Sequence, residues 1–170
     1  DKETLKEGVK DATALVSLLS TNVDKDVIDS GKNLKIITNY GAGFNNVDVD
    51  YAREKDIDVT NTPKASTNAT ADLTIGLILS VARRIVEGDE LSRTKGFDGW
   101  APLFFRGREV SGKTIGIIGL GEIGGAVAKR ARAFDMDVLY SGPHRKEEKE
   151  REIKKLNFLL KEKHESALIN

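Results

Sequence analysis

Six residues, Gly119-Leu120-Gly121-Glu122-Ile123-Gly124, carry the pattern GxGxxG, and the chemistry of that spacing is the holding of a diphosphate by backbone. Gly119 permits a tight turn off a strand. Gly121 leaves room for a pyrophosphate against the main chain, and Gly124 lets a helix pack close to a sheet. The amides of the residues that open the helix, Glu122 and Ile123 among them, point unpaired toward the anion. Roughly 20 residues past such glycines a dinucleotide's ribose is read; this chain has Ser141-Gly142-Pro143-His144-Arg145-Lys146 there. A carboxylate at the first of these positions would repel a 2′-phosphate, whereas Ser141 is neutral and can donate to one. Arg145 would pair with the phosphate in bidentate fashion, and Lys146 would add a point charge. The segment therefore favours NADP over NAD, against the plainer reading in which Arg145 and Lys146 face solvent ahead of Glu147-Glu148.

A second chemically suggestive stretch is Gly41-Ala42-Gly43. It follows the carboxyl end of a predicted strand, where open α/β sheets bind ligands, and its small residues leave amides free to cradle a carboxylate. On residue types alone an ordinary turn fits equally well. The two histidines, His144 and His164, have no carboxylate partner placed by any motif and read as surface residues. Asp72 reads as an acid stabilising the start of a helix. No HExxH, GxSxG or P-loop pattern is present.

The elements that must position these residues follow from periodicity. Thr114 to Ile118 is apolar or glycine without alternation after its first residue, as in a parallel strand buried on both faces. Ile123, Ala126, Val127, Ala131 and Phe134 recur at helical spacing, and Asp137 to Ser141 is a second strand, so the unit reads strand–turn–helix–strand. Upstream, residues 1 to 10 are mostly charged and read as a frayed helix or a cut end. Residues 12 to 19 are a candidate buried strand, residues 23 to 29 a short helix capped by Thr21 or Asn22 and stopped by Gly31, and residues 34 to 38 the next strand. A helix from Val47 to about Lys55 and a strand from Ile57 to Thr60 complete a parallel α/β pattern. A polar break at 61 to 68 suggests a domain boundary. Thr70 then caps a long helix through Glu87, with Leu73, Leu77, Ile78, Val81 and Ile85 on one buried face. Residues 96 to 107 are irregular, with Trp100, Pro102, Phe104 and Phe105 close together. The charged tail from Lys146 reads as helix to about Lys163.

The 170 residues suffice for one ordinary domain or parts of two. Lys plus Arg and Asp plus Glu both number 27, so no net field favours nucleic acid or an anionic membrane. The basic pairs Lys129-Arg130 and Arg83-Arg84 are accounted for as solvated helix faces. With no cysteine in the chain, disulfides and thiolate metal sites are excluded, and a cytoplasmic location is the expectation. The longest apolar run, Leu73 to Ala82, is too short to span a bilayer. Asn68-Ala69-Thr70 matches a glycosylation sequon only formally, since nothing suggests secretion.

Three stretches together resemble the D-isomer-specific 2-hydroxyacid dehydrogenases, nearest the glyoxylate/hydroxypyruvate reductase branch. They are Asn39-Tyr40-Gly41-Ala42-Gly43-Phe44-Asn45-Asn46-Val47-Asp48; Asn61-Thr62-Pro63 with Thr70-Ala71-Asp72-Leu73-Thr74; and residues 107 to 121, from Gly107-Arg108-Glu109-Val110 to Gly119-Leu120-Gly121. Their order and spacing agree with the family over roughly residues 12 to 153. The resemblance implies a flavodoxin-like substrate domain over residues 1–68, N-terminally incomplete, and a Rossmann-type NAD(P)-binding domain over 69–170, C-terminally incomplete. It implies that the Ala42 and Gly43 amides hold the substrate carboxylate. Gly119, Leu120, Gly121, Glu122, Ile123 and Gly124, with Ser141, Gly142, Pro143 and Arg145, would hold the dinucleotide. A homodimer or higher self-association through the cofactor domain would account for the aromatics around Trp100.

By the same resemblance the catalytic arginine, glutamate and histidine lie downstream of the Asp137 to Ser141 strand. The chain is therefore expected to be a piece of a dehydrogenase, without catalytic residues of its own and inactive alone. The family would return to another strand after Ile153, where this sequence is expected to continue as a helical tail. Three functions are open at this point: an NAD(P)-dependent reductase of small 2-keto acids, a non-catalytic dinucleotide-binding module akin to nucleotide-sensing corepressors, and an inactive self-associating fragment. The Gly41 to Asn46 loop favours an enzyme ancestry.

Overall fold

A computed structural model describes residues 1–96, 99–153 and 156–158. The chain divides between Ser66 and Thr67 into two compact units, Asp1–Ser66 and Thr67–Asn170; the sequence put the division after Asn68. Each is built on a three-stranded parallel sheet.

In the first unit the order along the chain is α1 (Lys2–Val9), β1 (Ala14–Leu18), α2 (Lys25–Ser30), β2 (Ile36–Tyr40), α3 (Val49–Glu54) and β3 (Asp58–Thr60). The strands lie side by side in the order β1-β2-β3, with Leu15 opposite Ile37 and Ile37 opposite Val59. Carboxylates start all three helices: Asp1, Asp24 and Asp48 each accept from a backbone amide three residues on. The cap of α2 is thus Asp24 and not Thr21 or Asn22. Residues 1 to 10 are also more than a frayed end, because Val9 is buried with Val23, Val27, Ile28, Leu34, Ile37, Val47, Ala52 and Ile57. The strand expected at residues 12 to 19 forms as β1, but it is not buried as expected. β1 is the sheet edge, Ser17 points inward, and Val16 and Leu18 are exposed.

The second unit contains α4 (Thr67–Arg83), α5 (Ile85–Thr94), β4 (Thr114–Ile118), α6 (Glu122–Ala133), β5 (Asp137–Ser141), α7 (Glu147–Glu152) and β6 (Leu156–Phe158). β5 is central, with Ile117 opposite Tyr140 and Tyr140 opposite Phe158. Its core gathers Leu120, Ala128, Ala131, Met136, Val138, Tyr140, Ile153 and Leu156. Several expectations are corrected here. β4 is an edge strand, so Ile118 at its end is 91% exposed instead of buried on both faces. The long helix starts at Thr67, not Thr70, and breaks at Arg84, whose left-handed φ of 56° interrupts it before α5. Leu73, Leu77, Val81 and Ile85 are exposed, because α4 turns the Ala71 side inward and leaves that stripe uncovered. Asp72 lies well inside α4 and pairs with Arg130 of α6 at 2.6 Å, so its role is to tie two helices together. The predicted helix to Lys163 ends at Glu152, and the chain returns to a strand, β6. Burial of Leu156 and a tilted Tyr140–Phe158 ring contact at 5.1 Å hold it there. Residues 159–170, His164 among them, lie outside the described residues.

Candidate functional site

The glycine turn lies between β4 and α6. Gly119 has φ of +90°, a conformation glycine adopts without a Cβ penalty, and its amide donates to the Ser141 carbonyl at 2.8 Å. The turn and the end of β5 are therefore joined by a backbone bond. Leu120 anchors the turn by burying its side chain in the core. Gly121 caps α6, and a Cβ built on it would meet no atom within 4 Å, so the space in front of its backbone is open. A Cβ on Gly124 would collide with the Gly119 carbonyl oxygen and press on Ile117, so only glycine lets α6 seat on the turn. The first backbone bond of the helix runs from Gly125 N to Gly121 O at 2.9 Å. The amides of Glu122, Ile123 and Gly124 precede it, at the positive end of a 12-residue helix.

Facing this turn is a cavity of about 570 Å³ lined by Leu120, Gly121 and Glu122 on one side and by Arg145, Lys146 and Lys149 among others on the other. The structure thus brings the glycine turn together with the basic residues after β5. Ser141 is the last residue of β5, opposite Ile118, and His144 is exposed in the loop that follows. Gly142 and Pro143 continue that loop, with Pro143 exposed. Arg145 does not simply face solvent. Its guanidinium grips Glu150 at 2.7 to 3.1 Å, and the same carboxylate accepts from the Tyr140 hydroxyl at 2.6 Å. The Tyr140 oxygen in turn accepts from Lys146 N at 2.8 Å. Arg145 and then Tyr140 hold the Glu150 carboxyl below its usual range, while burial and then Glu150 push the Tyr140 hydroxyl upward. This network fixes the path of the 141–146 loop.

Sequence reasoning missed Lys149, whose ammonium donates to Gly121 O at 2.7 Å and lies 3.5 Å from Glu122. Its only signal was a place in a charged run, which reads as solvated. An open space before Gly121 at a helix N-terminus, with the four cations Arg145, Lys146, Lys149 and Arg151 around one cavity, suits a nicotinamide dinucleotide, so the residues fit that cofactor.

In the first unit the Gly41-Ala42-Gly43 loop leaves the carboxyl end of β2. Its carbonyls are all engaged. Gly41 O accepts from Thr62 N at 2.9 Å, Ala42 O from Asn61 Nδ2 at 2.8 Å, and Gly43 O from Asn39 Nδ2 at 2.8 Å. The amides of Ala42 and Gly43 have no partner among the described residues, and both residues are exposed. Asn39 is fully buried yet satisfied, its Oδ1 accepting from Ser17 Oγ at 2.8 Å and its Nδ2 also reaching Asn46 Oδ1 at 3.0 Å. Asn46 ties back to the Leu18 and Thr21 carbonyls. Two outward amides backed by a buried polar network can accept a small carboxylate.

Residues 1–165 match the family described as D-isomer specific 2-hydroxyacid dehydrogenase, catalytic domain. The chain belongs to this family. A Staphylococcus aureus (strain MRSA252) relative, provisionally named a 2-hydroxyacid dehydrogenase, is 88% identical over 153 residues, which are 90% of this chain and 48% of that protein. Among solved structures, the TT0316 protein of Thermus thermophilus superposes with a TM-score of 0.82 at 41% identity, over 93% of this chain and 49% of that one. D-lactate dehydrogenase from Aquifex aeolicus, complexed with NAD and lactic acid, superposes with a TM-score of 0.78 at 25% identity, over 91% of this chain and 45% of that one. The chain therefore spans about half the length of the relatives it matches. Among the described residues no helix is long and apolar enough to cross a membrane, and no group of three or more His, Asp or Glu is placed to hold a metal ion.

Proposed function

We propose that the protein to which these residues belong reduces small 2-keto acids of the glyoxylate/hydroxypyruvate kind to D-2-hydroxy acids, with NADP preferred over NAD. The observation that carries this reading is the pair of unpartnered amides at Ala42 and Gly43, set where a parallel sheet ends and in a chain that also holds a dinucleotide-type glycine turn. The amides take the substrate carboxylate. The bound dinucleotide supplies the hydride, and this chain's residues hold its ends: Gly119 to Gly124 the diphosphate, Ser141, Gly142, Pro143 and Arg145 the adenosine ribose side. NADP is favoured because Ser141 stands where a carboxylate would repel a 2′-phosphate, with Arg145 and Lys146 beside the same cavity as the glycine turn. The 170-residue chain alone does not turn over substrate on this reading, since the family's catalytic arginine, glutamate and histidine belong to the other half.

The same proposal places residues 1–68 as the substrate domain and 69–170 as the cofactor domain of a cytoplasmic enzyme. It also has the second unit self-associating through its uncovered apolar side chains: Leu73, Leu77 and Val81 of α4, and Trp100, which is 84% exposed. Titration with NADPH and NADH, read by nicotinamide fluorescence, tests the cofactor reading; tighter NADPH binding is expected, and equal affinity overturns the preference. Light scattering of the concentrated chain tests association, and a monodisperse monomer would count against it.

A further inference from the structure

We infer that Asn61 is a positioning residue of the carboxylate loop, acting on the far side of its peptide plane from the ligand. This rests on the reading of the Ala42 and Gly43 amides as a carboxylate site. A trans peptide directs its C=O and N–H to opposite sides, and the chain has no cis peptide. Fixing a carbonyl therefore aims the amide of the next residue. Thr62 N, on Gly41 O, aims the Ala42 amide; Asn61 Nδ2, on Ala42 O, aims the Gly43 amide; Asn39 Nδ2, on Gly43 O, aims the Phe44 amide.

Asn61 and Thr62 thus form a two-point clasp from the loop after β3. Pro63, the next residue, restricts Thr62 to extended backbone, which stiffens the clasp. Neither asparagine can be exchanged for its acid. Each donates to a carbonyl, and an ionised aspartate is an acceptor only. A donor on Ala42 O also polarises that peptide and strengthens its N–H toward an anion. Asn39 holds the following peptide, at Gly43 O, from within the sheet and so braces the end of the loop, with Ser17 and Asn46 fixing its amide orientation. The clamp leaves the ligand-facing side to backbone alone, so no side chain needs to touch the carboxylate for the site to be rigid.

The test uses the 170-residue chain, isotope-labelled, with oxalate as a probe of the carboxylate site and the Ala42 and Gly43 amide resonances as readout. In the unsubstituted chain both amides shift with oxalate. Asn61→Ala is expected to move the Ala42 carbonyl ¹³C resonance upfield without ligand, to weaken oxalate at least tenfold, and to leave resonances of the Val27, Ile37 and Ala52 core unchanged. Asn61→Asp should abolish the shift. Oxalate binding by Asn61→Ala within twofold of the unsubstituted chain, with the same Gly43 shift, overturns the positioning role while leaving the carboxylate site standing. Absence of any Ala42 or Gly43 shift in the unsubstituted chain overturns the site and the inference together.

Discussion

The Lys149 ammonium sits 2.7 Å from the carbonyl oxygen of Gly121, the residue that caps α6. A cation at a helix N-terminus opposes the helix dipole, and here Gly121 O and Glu122 offset that cost. Lys149 also lines the cavity that faces the glycine turn, which under the proposed function gives it a second use toward a diphosphate. Lys149→Ala is expected to raise the NADPH dissociation constant about fivefold, the size of one partly exposed ion contact worth about 1 kcal/mol. The loss should shrink in high salt. Unchanged binding at low ionic strength would leave Lys149 as a structural lysine only.

Arg145 is held by Glu150, so a 2′-phosphate must share or displace that carboxylate. Arg145→Ala should narrow the preference for NADPH over NADH. Glu150→Gln removes the competing charge but keeps an acceptor for Tyr140, and should widen the preference. Parallel fluorescence titrations of the three proteins decide it; a preference that neither substitution moves would remove Arg145 from the cofactor site.

The cofactor-side elements were legible in the sequence because each is locally determined. β5 and α6 are fixed by an apolar run and a helical stripe bounded by glycine and charge. β6 was hidden because Leu156 and Phe158 are embedded in a charged run that reads as helix, and only tertiary contact with Tyr140 selects strand. Periodicity also found the Leu73, Leu77 and Val81 stripe of α4 but placed it on a buried face, whereas it is exposed, because spacing shows that a face is apolar and not what covers it. In the substrate loop the glycines were visible as a candidate carboxylate cradle. Asn39 and Asn61 were not, since an asparagine that clamps a carbonyl from a distant loop has the same local sequence signature as one in a turn.

Gly124 and Gly121 should separate stability from binding. A Cβ at Gly124 meets backbone that cannot swing away, so Gly124→Ala is expected to destabilise the second unit by about 1–3 kcal/mol, the usual cost of overpacking. Gly121→Ala meets open space, and loss of a glycine cap costs less than about 1 kcal/mol. Gly121→Ala should nevertheless weaken NADPH strongly, because the new methyl would occupy the place proposed for the diphosphate. Urea melts and dinucleotide titrations of both variants give the two readouts. The assignment fails if Gly121→Ala binds NADPH normally.

The Tyr140–Glu150–Arg145 network should be visible in the pH dependence of stability. Native Glu150 has its pKa lowered, first by Arg145 and then by Tyr140. Its contribution is therefore complete above the unfolded value of about 4.3 and is lost as pH falls through the lower native value. The Tm difference between the unsubstituted chain and Glu150→Gln is expected to hold steady from neutral pH down to about 5 and to close toward pH 3. Tyr140 supplies the opposite limb. Its pKa is raised, first by burial and then by Glu150, so its contribution is present below the unfolded value near 10 and lost as pH climbs through the higher native value. Tyrosinate absorbance should show Tyr140 ionising above the usual tyrosine range. In Glu150→Gln that late ionisation should move to lower pH. A Tm difference that stays constant to pH 3, or a Tyr140 titration indifferent to Glu150→Gln, would show that the network does not stabilise the folded loop.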